Sequence, residues 1–183
     1  HLEDFEKTYG EDIFQELEDI TADAGYGSQE NYDYLEQKHI TAYVKYNSFE
    51  KEQDQHYQQK HKTYSKENLY YNPKGDFYVC PMGQRMEKTH ESDKITEAGY
   101  AQRLSHYRAK NCQGCPIRGM CHKARGNRSI ERNHDLERQK EKARKLLLSE
   151  QGILKTKKRS ADVEPVFAQL KHNHGFRRFT LRG

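Results

Sequence analysis

Two sets of side chains have the types and spacing that chemistry requires. The first is Cys80, Cys112, Cys115 and Cys121, all four cysteines of the chain, spaced C-x31-C-x2-C-x5-C. A C-x2-C pair turns two thiolates onto one tetrahedral Zn²⁺, and two further thiolates close a structural site with no open position. Gly83 beyond Cys80-Pro81, and Gly114 and Pro116 around Cys115, are turn residues of the sort such knuckles need. Two unrelated reduced pairs and disulfides are the alternatives. No signal-peptide pattern opens the sequence, so a reducing compartment is expected, which disfavours disulfides. His122, next to Cys121, is a substitute nitrogen donor.

The second set is carboxylates. Ile20-Thr21-Ala22 is a β-prone run that ends on Asp23, and Ala24-Gly25-Tyr26-Gly27 follows it. An aspartate at the carboxyl end of a strand stands where open α/β sheets gather their ligands, although many such aspartates only shape a turn. Near the other end, helical spacing puts Glu164, Phe167 and Lys171 on one side of a helix. A carboxylate on a half-apolar face is costly unless it binds a cation or a partner. A solvated glutamate on a charged helix is the plainer alternative.

The elements that must position these groups are partly readable. The glycines after Asp23 are expected to allow a tight turn with positive φ. Ser28 is placed to cap a helix reaching about Lys38, with Glu30 in its first turn. Thr41-Ala42-Tyr43-Val44-Lys45-Tyr46 reads as a second strand, giving strand, turn, helix, strand. Residues 50–72 have no clean period and read as a loop or linker. A turn at Asn72-Pro73-Lys74-Gly75 precedes a strand at residues 76–80, and short β segments continue past Met86 and Tyr107. From Asn133 the period becomes helical, with Leu136, Lys140, Ala143 and Leu147 on one stripe. Ser149 is placed to cap a last helix reaching about His172, with Pro165 as an expected kink.

Composition narrows the class. The 183 residues include 33% hydrophobic side chains and no Trp, well below the roughly 45–50% apolar share of ordinary domains. No run approaches the ~18 apolar residues of a membrane span. The 13 Tyr and 7 Phe argue against full disorder. Charge is segregated: residues 1–60 carry 15 acidic and 5 basic side chains, 61–100 carry 6 and 6, and 101–183 carry 7 and 21. The basic C-terminal part points to a polyanion partner, nucleic acid above all. Solvated helix faces are the alternative.

These segments, taken together, resemble a known family. Thr21-Ala22-Asp23-Ala24-Gly25-Tyr26-Gly27-Ser28 with Asn31-Tyr32 is similar to the second-aspartate motif of bacterial insertion-sequence transposases of the DDE class. Tyr43-Val44-Lys45-Tyr46, Tyr78-Val79-Cys80-Pro81 with Gly83, Tyr107-Arg108-Ala109, Cys112-Gln113-Gly114-Cys115-Pro116 and Cys121 continue the resemblance in order. Val163-Glu164-Pro165-Val166-Phe167 through Lys171-His172-Asn173 to Gly175-Phe176-Arg177-Arg178-Phe179 resembles the last catalytic glutamate and its helix.

The resemblance implies an α/β (α+β) chain with a partial ribonuclease-H-like fold. The core would comprise residues 1–50, with Asp23, and the C-terminal helices of 131–183, with Glu164. A cysteine-rich, zinc-binding insertion would occupy 51–130. In that fold carboxylates hold two Mg²⁺ or Mn²⁺ ions for phosphoryl transfer on DNA. Asp23 and Glu164 would be the second and third carboxylates, and Lys171, Arg159, Arg177 and Arg178 would contact DNA phosphate, with Phe176 and Phe179 as aromatic anchors. The family signature Tyr-x2-Arg-x3-Glu-x6-Lys is matched at Glu164 and Lys171, whereas Lys157 and Ser160 occupy its Tyr and Arg positions.

The first aspartate has no counterpart, because Asp4, Asp12 and Asp19 precede Asp23 too closely. The expectation is the C-terminal part of a transposase, inactive by itself, cytoplasmic and DNA-associated in a bacterium, with no membrane partner. Pairing as a homodimer in a synaptic complex is the expected assembly. A non-catalytic, zinc-stabilised DNA-binding remnant is the second reading.

Overall fold

The computed structural model describes residues 17–54 and 64–173, with side chains up to Asp162. Its elements are β1 (Asp19–Ala22), α1 (Gln29–Gln37), β2 (Thr41–Val44), α2 (Phe49–Gln53), β3 (Tyr70–Asn72), β4 (Phe77–Val79), β5 (Arg85–Ile95), β6 (Ala101–Ala109), α3 (Arg118–Cys121), β7 (Ser129–Arg132), α4 (His134–Leu147) and α5 (Glu150–Asn173). The chain mixes helices and sheets as an α+β protein. It divides into two compact units, one of residues 1–47 with 139–183, the other of residues 48–138. Phe176, Arg177, Arg178 and Phe179 lie outside the described residues.

In the first unit β1 and β2 pair in parallel, Asp19 opposite Thr41 and Ala22 opposite Val44, and α1 makes the crossover. Ser28 caps α1 by accepting a hydrogen bond from the Asn31 amide at 3.2 Å. Leu35, 1% exposed, together with Tyr32, Ile40, Tyr43, Val44 and Tyr46, is buried. Each such side chain contributes roughly 1.5–3 kcal/mol by leaving water. The buried Tyr32 hydroxyl donates to the Val44 carbonyl at 2.9 Å, tying helix to strand.

The turn after Asp23 is built differently from the expectation. Gly27 has φ −79°, and neither it nor Gly25 adopts positive φ. What Gly27 supplies is room, since a Cβ there would lie 2.3 Å from the Lys45 carbonyl oxygen and 2.7 Å from Tyr46 Cα. The left-handed residue comes at the far end of α1, where His39 has φ 57°. The Ile40 amide reaches the Leu35 carbonyl at 2.9 Å and the His39 amide reaches that of Glu36 at 3.2 Å. These two bonds form a Schellman closure, a place that glycine usually fills.

α4 and α5 complete this unit. Gln139, Ala143 and Leu147 are the buried positions of α4; Ala143 and Leu147 lie on the expected stripe, and Gln139 is buried in place of the expected Lys140. The Gln139 amide nitrogen donates to Asp33 of α1, and Lys142 pairs with Glu36 at 2.6 Å, so polar contacts set the phase of this helix face. Ser149 Oγ accepts from the Gly152 amide at 3.1 Å, capping α5, which runs on through Pro165 to Asn173.

The second unit is an antiparallel five-stranded meander in the order β3-β4-β5-β6-β7. Leu69, Tyr78, Met86, Tyr107, Ala109, Cys112 and Ile130 form its core. In place of an unstructured stretch over 50–72, the described part holds α2, a 3-10 turn at Lys66–Asn68 and β3. β5 and β6 are far longer than short segments: β4 covers β5 only from Arg85 to Glu87 and β7 covers β6 only from Ser105 to Arg108. The rest of the hairpin extends past both neighbours.

Candidate functional site

Asp23 follows β1 directly, in extended conformation, and opens a 3-10 turn at Ala24–Tyr26. Its side chain is 55% exposed, and Arg159 Nη2 of α5 lies 2.5 Å from its Oδ2. One helical turn earlier, Lys155 Nζ lies 2.6 Å from Asp19 Oδ2 at the start of β1. The hydrogen bond with Asp19 pushes the Lys155 amine up from its ordinary value. The Tyr43 hydroxyl donates to Gln151 Oε1 at 3.3 Å, and Lys155 also sits 5.4 Å from the Tyr43 ring centroid. Gln151, Lys155 and Arg159 are each four residues apart, so one stripe of α5 lies along β1 and β2.

Glu164 and Lys171 lie on the same helix, where the backbone is described. Glu164 is five residues beyond Arg159, about 7.5 Å along the axis. Arg159, expected on DNA phosphate, donates to Asp23 in this structure, one helical turn beyond the Lys155 that meets Asp19. The described part of the site thus offers one exposed carboxylate, an oxygen donor of the type hard cations take, whose charge Arg159 meets in this structure.

All four cysteines line one cavity of about 260 Å³ in the second unit, together with Gln84, Arg118, His122 and Arg128. Gly83 and Gly114 have φ 78° and 71°, in the left-handed region that glycine tolerates. The Gly83 amide closes onto the Cys80 carbonyl at 2.9 Å, and the Cys115 amide onto that of Cys112 at 3.4 Å. Both segments therefore turn as knuckles. The Gln84 amide donates to Cys80 Sγ at 3.3 Å and the Arg128 amide to Cys112 Sγ at 3.3 Å. The four cysteines are free thiols. His122 has both ring nitrogens buried and unpartnered among the described residues. Burial, with the Arg118 and Arg128 cations, lowers its pKa and favours the neutral ring.

Among the described residues, no three His, Cys, Asp or Glu side chains are drawn together closely enough to hold a metal ion. The sulphurs enclose a common cavity without closing on one point. In donor type, enclosure and turn geometry the cavity suits a soft, thiolate-bound cation.

A third cluster has no signal in spacing or composition. Asp76, itself at φ 47°, accepts hydrogen bonds from Tyr107 at 2.5 Å and Tyr71 at 2.9 Å, and pairs with Lys88 at 3.0 Å. Burial works to raise its carboxyl, but the bonds from Tyr107, Lys88 and Tyr71 outweigh burial and hold it low. Burial first, then Asp76, pushes the Tyr107 hydroxyl far up, so it stays protonated. Because its O–H donates to Asp76, Tyr107 accepts from the Nε2–H tautomer of His134 at 2.7 Å. Burial and the Arg132 and Lys88 cations lower the His134 pKa despite Asp76.

Comparison with known proteins decides the family. The Transposase DDE domain family matches residues 79–183, more than half of the chain. This chain belongs to the DDE transposases. The matched residues contain all four cysteines and Glu164, and Asp23 lies before them. No curated protein and no solved structure matches the chain. A DDE transposase acts on DNA, in keeping with the basic C-terminal half. No described helix is long and apolar enough to cross a membrane.

Proposed function

We propose that this chain is the C-terminal part of a bacterial DDE transposase catalytic domain, cutting and joining DNA when complete. One observation carries the reading: Arg159 ties Asp23, at the end of a strand, to the helix that bears Glu164. The parallel pair β1–β2 with its α1 crossover supports a ribonuclease-H-like core for this unit. Divalent Mg²⁺ or Mn²⁺, held by Asp23 and Glu164 with a further carboxylate, would supply activation of the attacking oxygen and stabilisation of the leaving one.

The chain's own residues have distinct parts. Asp23 offers its carboxylate at the open end of β1. α5 brings Glu164 along the same helix, and Lys171, about two turns later, is on hand for a DNA phosphate. Arg177 and Arg178 add phosphate contacts. The second unit is a structural insertion whose cysteines bind zinc, and the protein pairs as a homodimer on its DNA ends.

The deciding experiment is DNA cleavage and strand transfer by the complete transposase with Mg²⁺ or Mn²⁺. Asp23→Asn and Glu164→Gln should each abolish both steps while DNA binding persists. Full activity in either variant removes that residue from the site.

A further inference from the structure

We infer that Arg128 is the positioning residue of the cysteine cavity, a buried cation whose guanidinium holds one sulphur, whose backbone amide holds a second, and whose charge balances a metal–thiolate centre. The inference rests on the zinc reading above and goes beyond it to a residue outside the ligand set.

Arg128 is only 6% exposed, in a polar segment where most cations are in water. A guanidinium does not lose its proton in proteins. Burying it therefore requires a compensating anion or a complete set of acceptors. Nη2 donates to the Tyr64 carbonyl at 2.7 Å. Nη1 donates to Cys121 Sγ at 2.9 Å, and the backbone amide of the same residue donates to Cys112 Sγ at 3.3 Å. A carbonyl carries no net charge, so of these three acceptors only the two sulphurs can become anionic.

A neutral thiol is a weak acceptor, whereas a thiolate on a metal remains a good one. Four thiolates around a divalent ion leave a net charge of −2, and Arg128 reduces it to −1. Its two donors also reach cysteines from different segments, Cys112 in the C-x2-C pair and Cys121 at the end of α3. The Tyr64 carbonyl fixes the far side of the guanidinium, so the fork spans from the segment before β3 to the cysteine loop. Groups that hydrogen-bond metal ligands in this way typically change metal affinity 10–100-fold when removed. The ligand class that matches four sulphurs and one balancing cation is a soft divalent ion, Zn²⁺ or Co²⁺ as its spectroscopic stand-in.

The test uses the full 183-residue chain, wild type, Arg128→Met and Arg128→Lys, each loaded with Zn²⁺ or Co²⁺. Chelator competition gives the affinity, the sulphur-to-cobalt charge-transfer band reports the sulphurs, and circular dichroism reports the fold. Wild type should bind one ion per chain. Arg128→Met should bind about 10–100-fold more weakly with a shifted charge-transfer band. Arg128→Lys, which keeps the charge but cannot span Tyr64 and Cys121 together, should fall between them. If Arg128→Met fails to fold, the lysine variant carries the test by the same two readouts. Wild-type affinity and an unshifted band in the folded variants overturn the role of Arg128 and leave the zinc site standing. A wild-type chain that takes up no ion overturns the zinc site and this inference with it.

Discussion

Arg159 and Asp23 meet at 2.5 Å, across 136 residues of sequence, and their contact joins a strand end to the helix that carries Glu164. The pair is largely open to water on the aspartate side, so it is worth no more than about 1 kcal/mol to the fold. Asp23→Asn should therefore shift thermal unfolding of the chain only slightly. The same change in the complete transposase should lower DNA cleavage at least ~10³-fold, the scale of losing transition-state charge stabilisation. A large loss of stability would instead make Asp23 a structural residue.

His39 closes α1 in the left-handed region, at φ 57°, where a Cβ is unfavourable. His39→Gly should stabilise the first unit by about 0.5–1 kcal/mol, because the Schellman bonds persist and the strain goes. Denaturant unfolding reads this as a raised midpoint at unchanged slope. An unchanged or lowered midpoint would mean that the His39 side chain contributes to the fold.

Acid should weaken the second unit in two stages. His134 has a folded pKa below its ordinary 6.5, so the unfolded chain takes up the proton first. Stability is complete above that value and falls as pH drops below it. His122, also lowered, adds to the same stage. Asp76, held below its ordinary 3.8, adds a loss at lower pH, through its folded pKa. Melting temperature measured from pH 7.5 downward should decline from about pH 6.5, and His134→Gln should flatten that decline. A flat profile in the wild type would contradict the network.

Lys171, Arg177 and Arg178 should act on DNA through phosphate alone. Replacing each by Ala should weaken binding similarly across DNA sequences and reduce the salt slope by about one. Fluorescence anisotropy at several salt concentrations measures this. An unchanged slope removes that residue from the DNA face.

The sequence carried the first unit's layout well, because its signals are local. Ser28 and Ser149 cap where they stand, and the β-formers of Thr41–Val44 need no distant partner to be read. On α4, Ala143 and Leu147 are buried as the period expects, but Gln139 takes the place of Lys140 because it bonds Asp33, and a polar side chain gives no hydrophobic period. The β5–β6 hairpin escaped for a similar reason. Residues such as Asp93 and Lys94 lie beyond the covering strands and are exposed, so neither face needs to be apolar. The cysteine spacing identified a shared cavity, but Arg128 was hidden in a run of ordinary-looking cations. Nothing in spacing foretold that Asp76, Tyr107 and His134 would meet.

The division of the chain also orders its synthesis. Residues 48–138 are continuous and can complete their sheet as soon as they emerge, whereas the unit begun by β1 waits for α4 and α5. Asp19 and Asp23 leave the ribosome 136 residues before Lys155 and Arg159. The half that starts first therefore finishes last, and Asp19 and Asp23 must wait without their α5 cations while the later half is made. At about 5–20 residues per second that interval is on the order of ten seconds.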